Sequence, residues 1–452
     1  MRYGYRSDDE LKDSGVKWID KIPKSWKRKK LKHELEFSVG ATPSTSNKDF
    51  FEGENTWVTI SDLNGKYCGE SKTKITQEAI KSTNMKKVPC NSLLYSFKLS
   101  VGQVAFTTKD LYTNEAIASF YPNKKYNLSF WYYALKTYLI ENANENIYGA
   151  KLLNQDLINN ANVFVPNKSE QEKIANFLDE KTSQFDLIIS KKEKLIERLE
   201  EAKKSLISEV VTGKVKVVKT DEGYELVKRS SEEMKDSGVE WLGEIPKNWE
   251  VKRIKQISSV ISKGTTPSTV GKEIIDKGEI RFLKAENIYE GKISLTPEFF
   301  IDEETNKILK RSELKENDIL FVIAGATIGK VAIVQKEHCP ANTNQAISFI
   351  RLYNDVNYKF VYYWLNSPKL QENMWLYAVQ SAQPNLSMEN LGNFYITYPC
   401  NYEIDILTDY IEKKDIEIND IIKNIKYQIE KLKEAKQSLI SEAVTGKIEI
   451  LD

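Results

Sequence analysis

The residues best suited to covalent or metal chemistry are few and scattered. Cys68, Cys90, Cys339 and Cys400 lie far apart with no CxxC pair, and His33 and His338 are the only histidines. Zinc sites draw on closely spaced Cys and His ligands, so no metal site is expected, and the cysteines read as free thiols in a reducing compartment. Acid–base chemistry would rest on Asp, Glu, Lys or Tyr alone, and no carboxylate pair rises above the background. Gly325-Ala326-Thr327-Ile328-Gly329-Lys330 approaches a phosphate loop. It is one residue short, Val331 follows the lysine, and the other half of the chain has Gln103 in the lysine's place, so a glycine hairpin is the simpler reading. No GxSxG elbow, no dinucleotide fingerprint after a strand and no Asn-Pro-Pro-aromatic tetrad occurs. The expectation is a chain that catalyses nothing and binds no cofactor itself.

Binding chemistry is better represented. Lys27-Arg28-Lys29-Lys30, flanked by Lys24 and Lys32, is the densest cationic run, and Lys252-Arg253 with Lys255 is its counterpart. Such a run is either a solvated face or a phosphate contact, because DNA affinity comes largely from neutralised backbone charge. Lys27, Arg28, Lys30, Lys252 and Arg253 are the candidates. Gly40–Ser44 and Gly264–Ser268 place Thr42, Ser44, Thr266 and Ser268 in segments that either bind an anion or simply turn the chain. Polar side chains such as Asn, Gln, Lys and Ser read base edges. Lys98 and Ser100, then Lys284, Asn287 and Thr327, are candidates of that kind. Loops ahead of the long helices, Tyr148-Gly149-Ala150-Lys151 and Ser381-Ala382-Gln383-Pro384-Asn385, add Lys151, Gln383 and Asn385.

These candidates recur because the chain is written twice. Residues 13–26, DSGVKWIDKIPKSW, return as DSGVEWLGEIPKNW at 236–249, and EAKKSLISEVVTGK at 201–214 returns as EAKQSLISEAVTGK at 434–447. The shift grows from 223 to 233 residues, so the second copy carries small insertions, as surface loops allow. Between the blocks the copies diverge over about 140 residues that read as mixed α/β. Ile319–Ile323 and Lys330–Val334 look like strands, and Phe130–Tyr138 and Phe360–Leu365 like aromatic-rich helices. The formal net charge of +1 on 452 residues hides unlike halves: +6 over residues 1–222 and −5 over the rest. Hydrophobic residues at 40% argue for folded cores. No apolar run reaches the roughly 18–20 residues that cross a bilayer, and Met1–Tyr5 lacks the apolar stretch of a signal peptide, so a soluble cytoplasmic protein is expected.

Residues 169–211 contain no Pro or Gly and carry apolar residues at alternating spacings of four and three. The spacing predicts a helix whose pairing face holds Ile174, Leu178, Phe185, Leu195, Leu199 and Leu206. Its repeat would use Leu407, Ile411, Ile418, Ile425, Leu432 and Leu439. Sustained heptads argue for coiled-coil pairing of the two helices, with polar Lys181, Lys192, Lys414 and Gln428 fixing register. Ser169 with Glu172 reads as a capping box, and Gly213 and Gly446 as C-terminal caps.

Gly15-Val16-Lys17-Trp18 through Ile22-Pro23-Lys24-Ser25-Trp26, its repeat Gly238–Trp249, and the helix ends Leu206–Lys214 and Leu439–Lys447 together resemble the specificity subunit of Type I restriction–modification enzymes, over the whole chain. The resemblance implies mixed α/β (α+β) target-recognition domains and two long antiparallel coiled-coil helices in a tandem repeat with pseudo-two-fold symmetry. The boundaries would be recognition domain 1 at 1–168, spacer helix 1 at 169–213, a linker at 214–235, recognition domain 2 at 236–400, and spacer helix 2 with a tail at 401–452. Each recognition domain would read half of a bipartite, asymmetric site in double-stranded DNA. The helices would set the spacer and dock two modification (methyltransferase) subunits, with two restriction (endonuclease/translocase) subunits joining the assembly. S-adenosylmethionine, ATP and Mg²⁺ would sit on those partners. The recognition domains vary within the family, so no base-contacting residue carries over by motif. A stand-alone DNA-binding regulator and a DNA nuclease are the alternatives.

Overall fold

The computed structural model describes residues 2–123, 126–145, 151–378 and 384–451. The chain divides into two compact units, Met1–Lys192 with Tyr427–Asp452, and Glu193–Lys426. The division cuts both long helices, Lys168–Val211 and Asn401–Val444, so each unit holds the start of one helix and the end of the other.

Each unit repeats one plan. In the first, the strands Phe37–Val39, Ile117–Phe120, Leu93–Ser96, Val104–Thr107 and Tyr67–Cys68 form a sheet in that order, antiparallel except for the last pair. In the second, Ser258–Lys263, Ile347–Leu352, Ile319–Val322 and Val331–Ile333 make the antiparallel equivalent. The central strands, LLYS, IASF and ILFV, are buried throughout, as short β-branched and aromatic runs between turns should be. An aromatic helix packs against each core: Leu128–Glu141, N-capped by Asn127, and Tyr358–Asn366, N-capped by Asn357. A further strand, Asn162–Val165 or Tyr395–Tyr398, pairs with the basic run, Lys27–Lys30 or Glu250–Arg253, just ahead of each long helix.

The two repeated blocks are two sides of one contact. Gly446, at φ +74°, ends the second helix, with Lys447 N–H bonded to Glu442 O and Gly446 N–H to Ala443 O. A Cβ there would lie 2.4 Å from the Pro23 ring and 3.2 Å from Trp26. Gly213, also at φ +74°, meets Pro246 and Trp249 at 2.6 and 2.8 Å. The Pro-Trp block of each copy thus docks on the helix end of the other copy, and Trp26 and Trp249 are wholly buried there. Side chains from the cores reach the same turns. Tyr138 OH donates to Val444 O, and Thr397 Oγ1 donates to Val211 O at 2.5 Å.

A second device accompanies each clasp. Arg6 bonds Glu170 at 2.8 Å, and its repeat Arg229 bonds Glu403 at 2.7 Å, tying the segment ahead of the Pro-Trp block to the start of a long helix. The segment expected as a linker over 214–235 is instead largely a β-hairpin, Val215–Thr220 with Gly223–Lys228. Val217 is buried and Tyr224 packs edge-on against Tyr410, which explains its order. Arg2–Tyr5 pairs with Ile448–Leu451 in the same register: Tyr5 faces Ile448 as Lys228 faces Val215.

The helices pair antiparallel within each unit, along a seam that differs in part from the expected one. Ile174, Leu178, Leu407, Ile411, Ile425 and Leu439 are buried, and Phe185, Leu199, Leu206, Ile418 and Leu432 are half-buried, but Leu195 is 45% exposed. The first helix follows Leu178, Thr182, Phe185, Ile189, Lys192, Ile196, Leu199, Lys203 and Leu206, so every second position falls one residue later than expected. Ile174 faces the domain core, where Ala175, Phe177 and Leu178 are buried as well, so its position does not set the phase of the pairing face further along. The polar pins shift accordingly. Lys203 bonds Asp415 and Asn419 at 2.9 Å, and its repeat Lys436 bonds Asp186 at 2.6 Å. Lys192 bonds Gln428 at 2.6 Å across the pair, whereas Lys181 and Lys414 bond neighbours on their own helices. The N-cap is Asn167, whose side chain accepts from Glu170 N–H, and not Ser169, which lies inside the helix.

Gly446→Ala adds a Cβ where φ is positive and the Pro23 ring is closest, and should cost about 2 kcal/mol, read as a lower midpoint in thermal or urea unfolding. Lys136 lies 4.4 Å over the Tyr132 ring; burial, and then nearby Lys436, lower its pKa to about 8. The unfolded chain therefore binds more protons between about pH 8 and the ordinary lysine value, and stability rises with pH across that window. Lys136→Met should raise the unfolding midpoint at pH 7 by an amount on the order of 1 kcal/mol and flatten this pH dependence.

Candidate nucleic-acid interface

The basic run forms the strand Lys27–Lys30, and most of it is engaged by its own unit. Arg28 donates to Gly15 O at 2.8 Å and Asn162 Oδ1 at 3.2 Å, Lys30 donates to Asn160 O at 2.7 Å, and Lys29 pairs with Glu34. Lys27 is exposed. An open groove of about 690 Å³, lined by Arg28, Lys29, Lys30, His33, Glu34 and Asn162, runs beside them. In the second unit Lys252 sits 4.1 Å over the Tyr398 ring, and Arg253 donates to Tyr395 OH at 2.6 Å. Arg28 and Arg253 therefore tie their strands to the rest of the fold, which weakens the case for them as phosphate contacts.

The paired Thr-Pro-Ser segments are close-packed corners. A Cβ on Gly40 would fall 1.8 Å from Thr113 O, and one on Gly264 1.9 Å from Thr343 O. Ala41 and Thr265 N–H groups bond those same carbonyls at 3.0 Å. Thr42 donates to Glu115 and Thr266 to Gln345, while Ser44 bonds Ser46 at 2.7 Å and Ser268 is exposed. Fitting a backbone corner explains the repeat of these residues without an anion.

The divergent loops separate the remaining candidates. Lys98 and Ser100 are exposed at the tip of the hairpin between Leu93–Ser96 and Val104–Thr107. In the matching hairpin of the second unit, Thr327 is half-buried near the tip, and Asn385 lies along the stem: Gly325 N–H bonds Pro384 O at 3.2 Å, Leu386 N–H bonds Ile323 O at 2.8 Å, and Ala324 bridges Asn385. Gln371 braces this hairpin from below, donating to Gly329 O at 2.9 Å. Lys151 is exposed in part but pairs with Glu145 at 2.6 Å. Lys284 lies 3.3 Å over the Phe299 ring. Asn287 is 2% exposed, with its amide donating to Ser294 O and Pro297 O and its Oδ1 accepting from Lys284 N–H. It holds its own loop and offers no base contact, a correction to its expected role. Gln383 and Tyr148–Ala150 lie outside the described residues. Ser96, whose buried hydroxyl organises the Lys98 hairpin, carries no sequence signal that distinguishes it from other core serines.

Two units on one plan, with polar residues gathered at divergent hairpin tips, define a duplicated recognition scaffold. A profile of the Type I restriction modification DNA specificity domain matches residues 23–200 and 246–437, one match in each copy, and the chain belongs to that family. It is 28% identical over 456 residues to the Type I restriction enzyme MjaIX specificity subunit of Methanocaldococcus jannaschii, covering 99% of this chain and 98% of that one. Its fold is similar to a chain from a solved type I R-M system described for complex assembly and conformational transition (TM-score 0.68, 12% identity, 94% and 99% covered). It is also similar to the HsdS subunit from Thermoanaerobacter tengcongensis (TM-score 0.51, 13% identity, 96% and 99% covered). Among the described residues no helix is long and apolar enough to cross a membrane.

Asn287 and Lys98 should separate cleanly on mutation. Asn287→Ala leaves buried carbonyls without donors and should lower stability by about 1–3 kcal/mol, visible as a lower unfolding midpoint. Lys98→Ala should leave the midpoint unchanged but lower the slope of log affinity for duplex DNA against log salt by about one.

Proposed function

We propose that this chain is the non-catalytic sequence-reading subunit of a Type I restriction–modification complex, and that each unit reads one half of a bipartite, asymmetric DNA site. The observation that carries this is the contrast between the two units. Their scaffolds agree in strand order, in clasp geometry and in hairpin register, while their hairpin tips differ in residue type and bracing. A shared scaffold suits two copies of one partner, and unlike tips suit two unlike half-sites.

The long helices, 44 residues each, run about 66 Å and act as the ruler between the half-sites. Their repeated surface docks two methyltransferase subunits, through which two restriction subunits join in the cytoplasm. S-adenosylmethionine, ATP and Mg²⁺ belong to those partners. The near-neutral total charge is compatible with this role, because the helices carry many charges of both signs and dilute a net of +7 over residues 1–168. The acidic second half leans on local cations and on its partners for backbone affinity.

Modified-base mapping of host DNA tests the proposal. The expected result is N6-methyladenine in a motif of two unlike half-sites separated by a fixed unread gap, lost when this chain is deleted. A continuous or palindromic motif, or one that survives the deletion, would overturn it.

A further inference from the structure

Leu99 is the outermost residue of the first unit's hairpin, with φ +59° and its side chain 95% exposed. Of the other non-glycine residues with positive φ among the described ones, Asn84, Asn91, Glu290 and Asn317, three are asparagines, whose short polar side chains tolerate this region. Leucine has no such compensation. Glycine would meet the same geometry without strain, and the second unit's hairpin takes positive φ at Gly325 and Gly329. The first unit therefore holds an apolar side chain in water on a backbone that resists it.

That posture is built rather than loose. Buried Ser96 donates from its hydroxyl to Ser100 O and accepts Gln103 N–H at 2.9 Å, and Gly102 N–H bonds Ser96 O at 2.9 Å. Gly102 itself lies against Ile140 of the aromatic helix. The neighbours suit a polyanion: Lys98 is exposed and, among the described residues, has no carboxylate at ion-pair distance. The second unit lacks the feature, since its Ile328 is turned inward at 8% exposure while Ala326 faces water.

We infer that Leu99 is a DNA wedge: it enters between stacked base pairs of the half-site read by the first unit, with Lys98 on a flanking phosphate. The inference rests on the DNA-reading role proposed above and adds to it that only one half-site is unstacked and bent. Apolar side chains inserted at a base step partly unstack it and kink the duplex. A side chain already fixed in its projecting posture loses little freedom on insertion, which favours the rigid bracing seen here.

The test uses the full chain assembled with its modification subunits on an unmethylated duplex carrying the mapped motif. 2-Aminopurine replaces, one at a time, the adenines other than the methylated ones. The wedge predicts a fluorescence rise at one step of a single half-site. Leu99→Gly should abolish that rise and weaken binding roughly tenfold, with an unfolding midpoint equal to or above that of the parent because the backbone strain is relieved. Leu99→Met should retain both signal and affinity. A Leu99→Gly complex with unchanged signal and affinity would overturn the wedge alone. Loss of the modification subunits on purification, with the DNA signal intact, would mark the tip as a protein contact and also overturn it. If the parent complex binds no duplex at all, the DNA-reading role itself fails and the wedge with it.

Discussion

The contact on which the rest of the fold depends is the seating of a Pro-Trp block on a glycine helix end. Pro23 and Trp26 close over Gly446, and Pro246 and Trp249 over Gly213. Any residue other than glycine is strained there, because φ is positive and the ring atoms stand within 2.4–2.6 Å of where a Cβ would be. Each block meets the helix end of the other copy, so the first unit is assembled from segments far apart in sequence, while the second is one continuous stretch that spans the junction of the copies. The ion pairs Arg6–Glu170 and Arg229–Glu403 and the core donors Tyr138 and Thr397 converge on the same junctions. This is a sufficient physical reason for these two blocks to stay near-identical while everything between them diverges.

What the clasps leave free is the hairpins of each sheet. The sheets carry hairpins whose tips need only satisfy their own backbone, and the two units solve that differently. The first uses a buried serine beneath a strained leucine, and the second uses glycines braced by Gln371 and by the 384–386 segment. A scaffold that is fixed by its clasps and variable at its tips can change what it reads without disturbing what holds it together. That division of labour underlies the proposed half-site reading.

Much of the fold was legible in the sequence. The repeat gave the number of units, the uninterrupted stretches gave both long helices, and Gly213 and Gly446 were readable as caps. The contact between the blocks was not, because repetition says that two segments matter and not that they touch. The helix seam is legible only in part: near Ile174 the helix is surrounded on several sides, so the apolar spacing there does not carry along the pair to Leu195 or Lys181. The hairpin at 215–228 reads as a linker in the sequence because its strands are polar on their outer face. Among the site candidates, charge and residue type could not separate cations that bind outward from those that tie strands together, as Arg28 and Arg253 do. Nor could they show that Asn287 is spent on its own loop, whereas the exposure of Lys98 and the bridging of Asn385 to Ala324 needed the tertiary fold.

Whether each unit is closed by its own Pro-Trp clasp is decided by hydrogen exchange on Trp249→Phe, a change that trims the buried indole without emptying its site. A clasp local to the unit gives faster exchange at the Thr212–Lys214 turn, the Val215–Lys228 hairpin and the strand Glu250–Arg253, with the turn at Thr445–Lys447 as protected as in the parent. Exchange that is unchanged at Thr212–Lys214, or that rises equally at both turns, would contradict it.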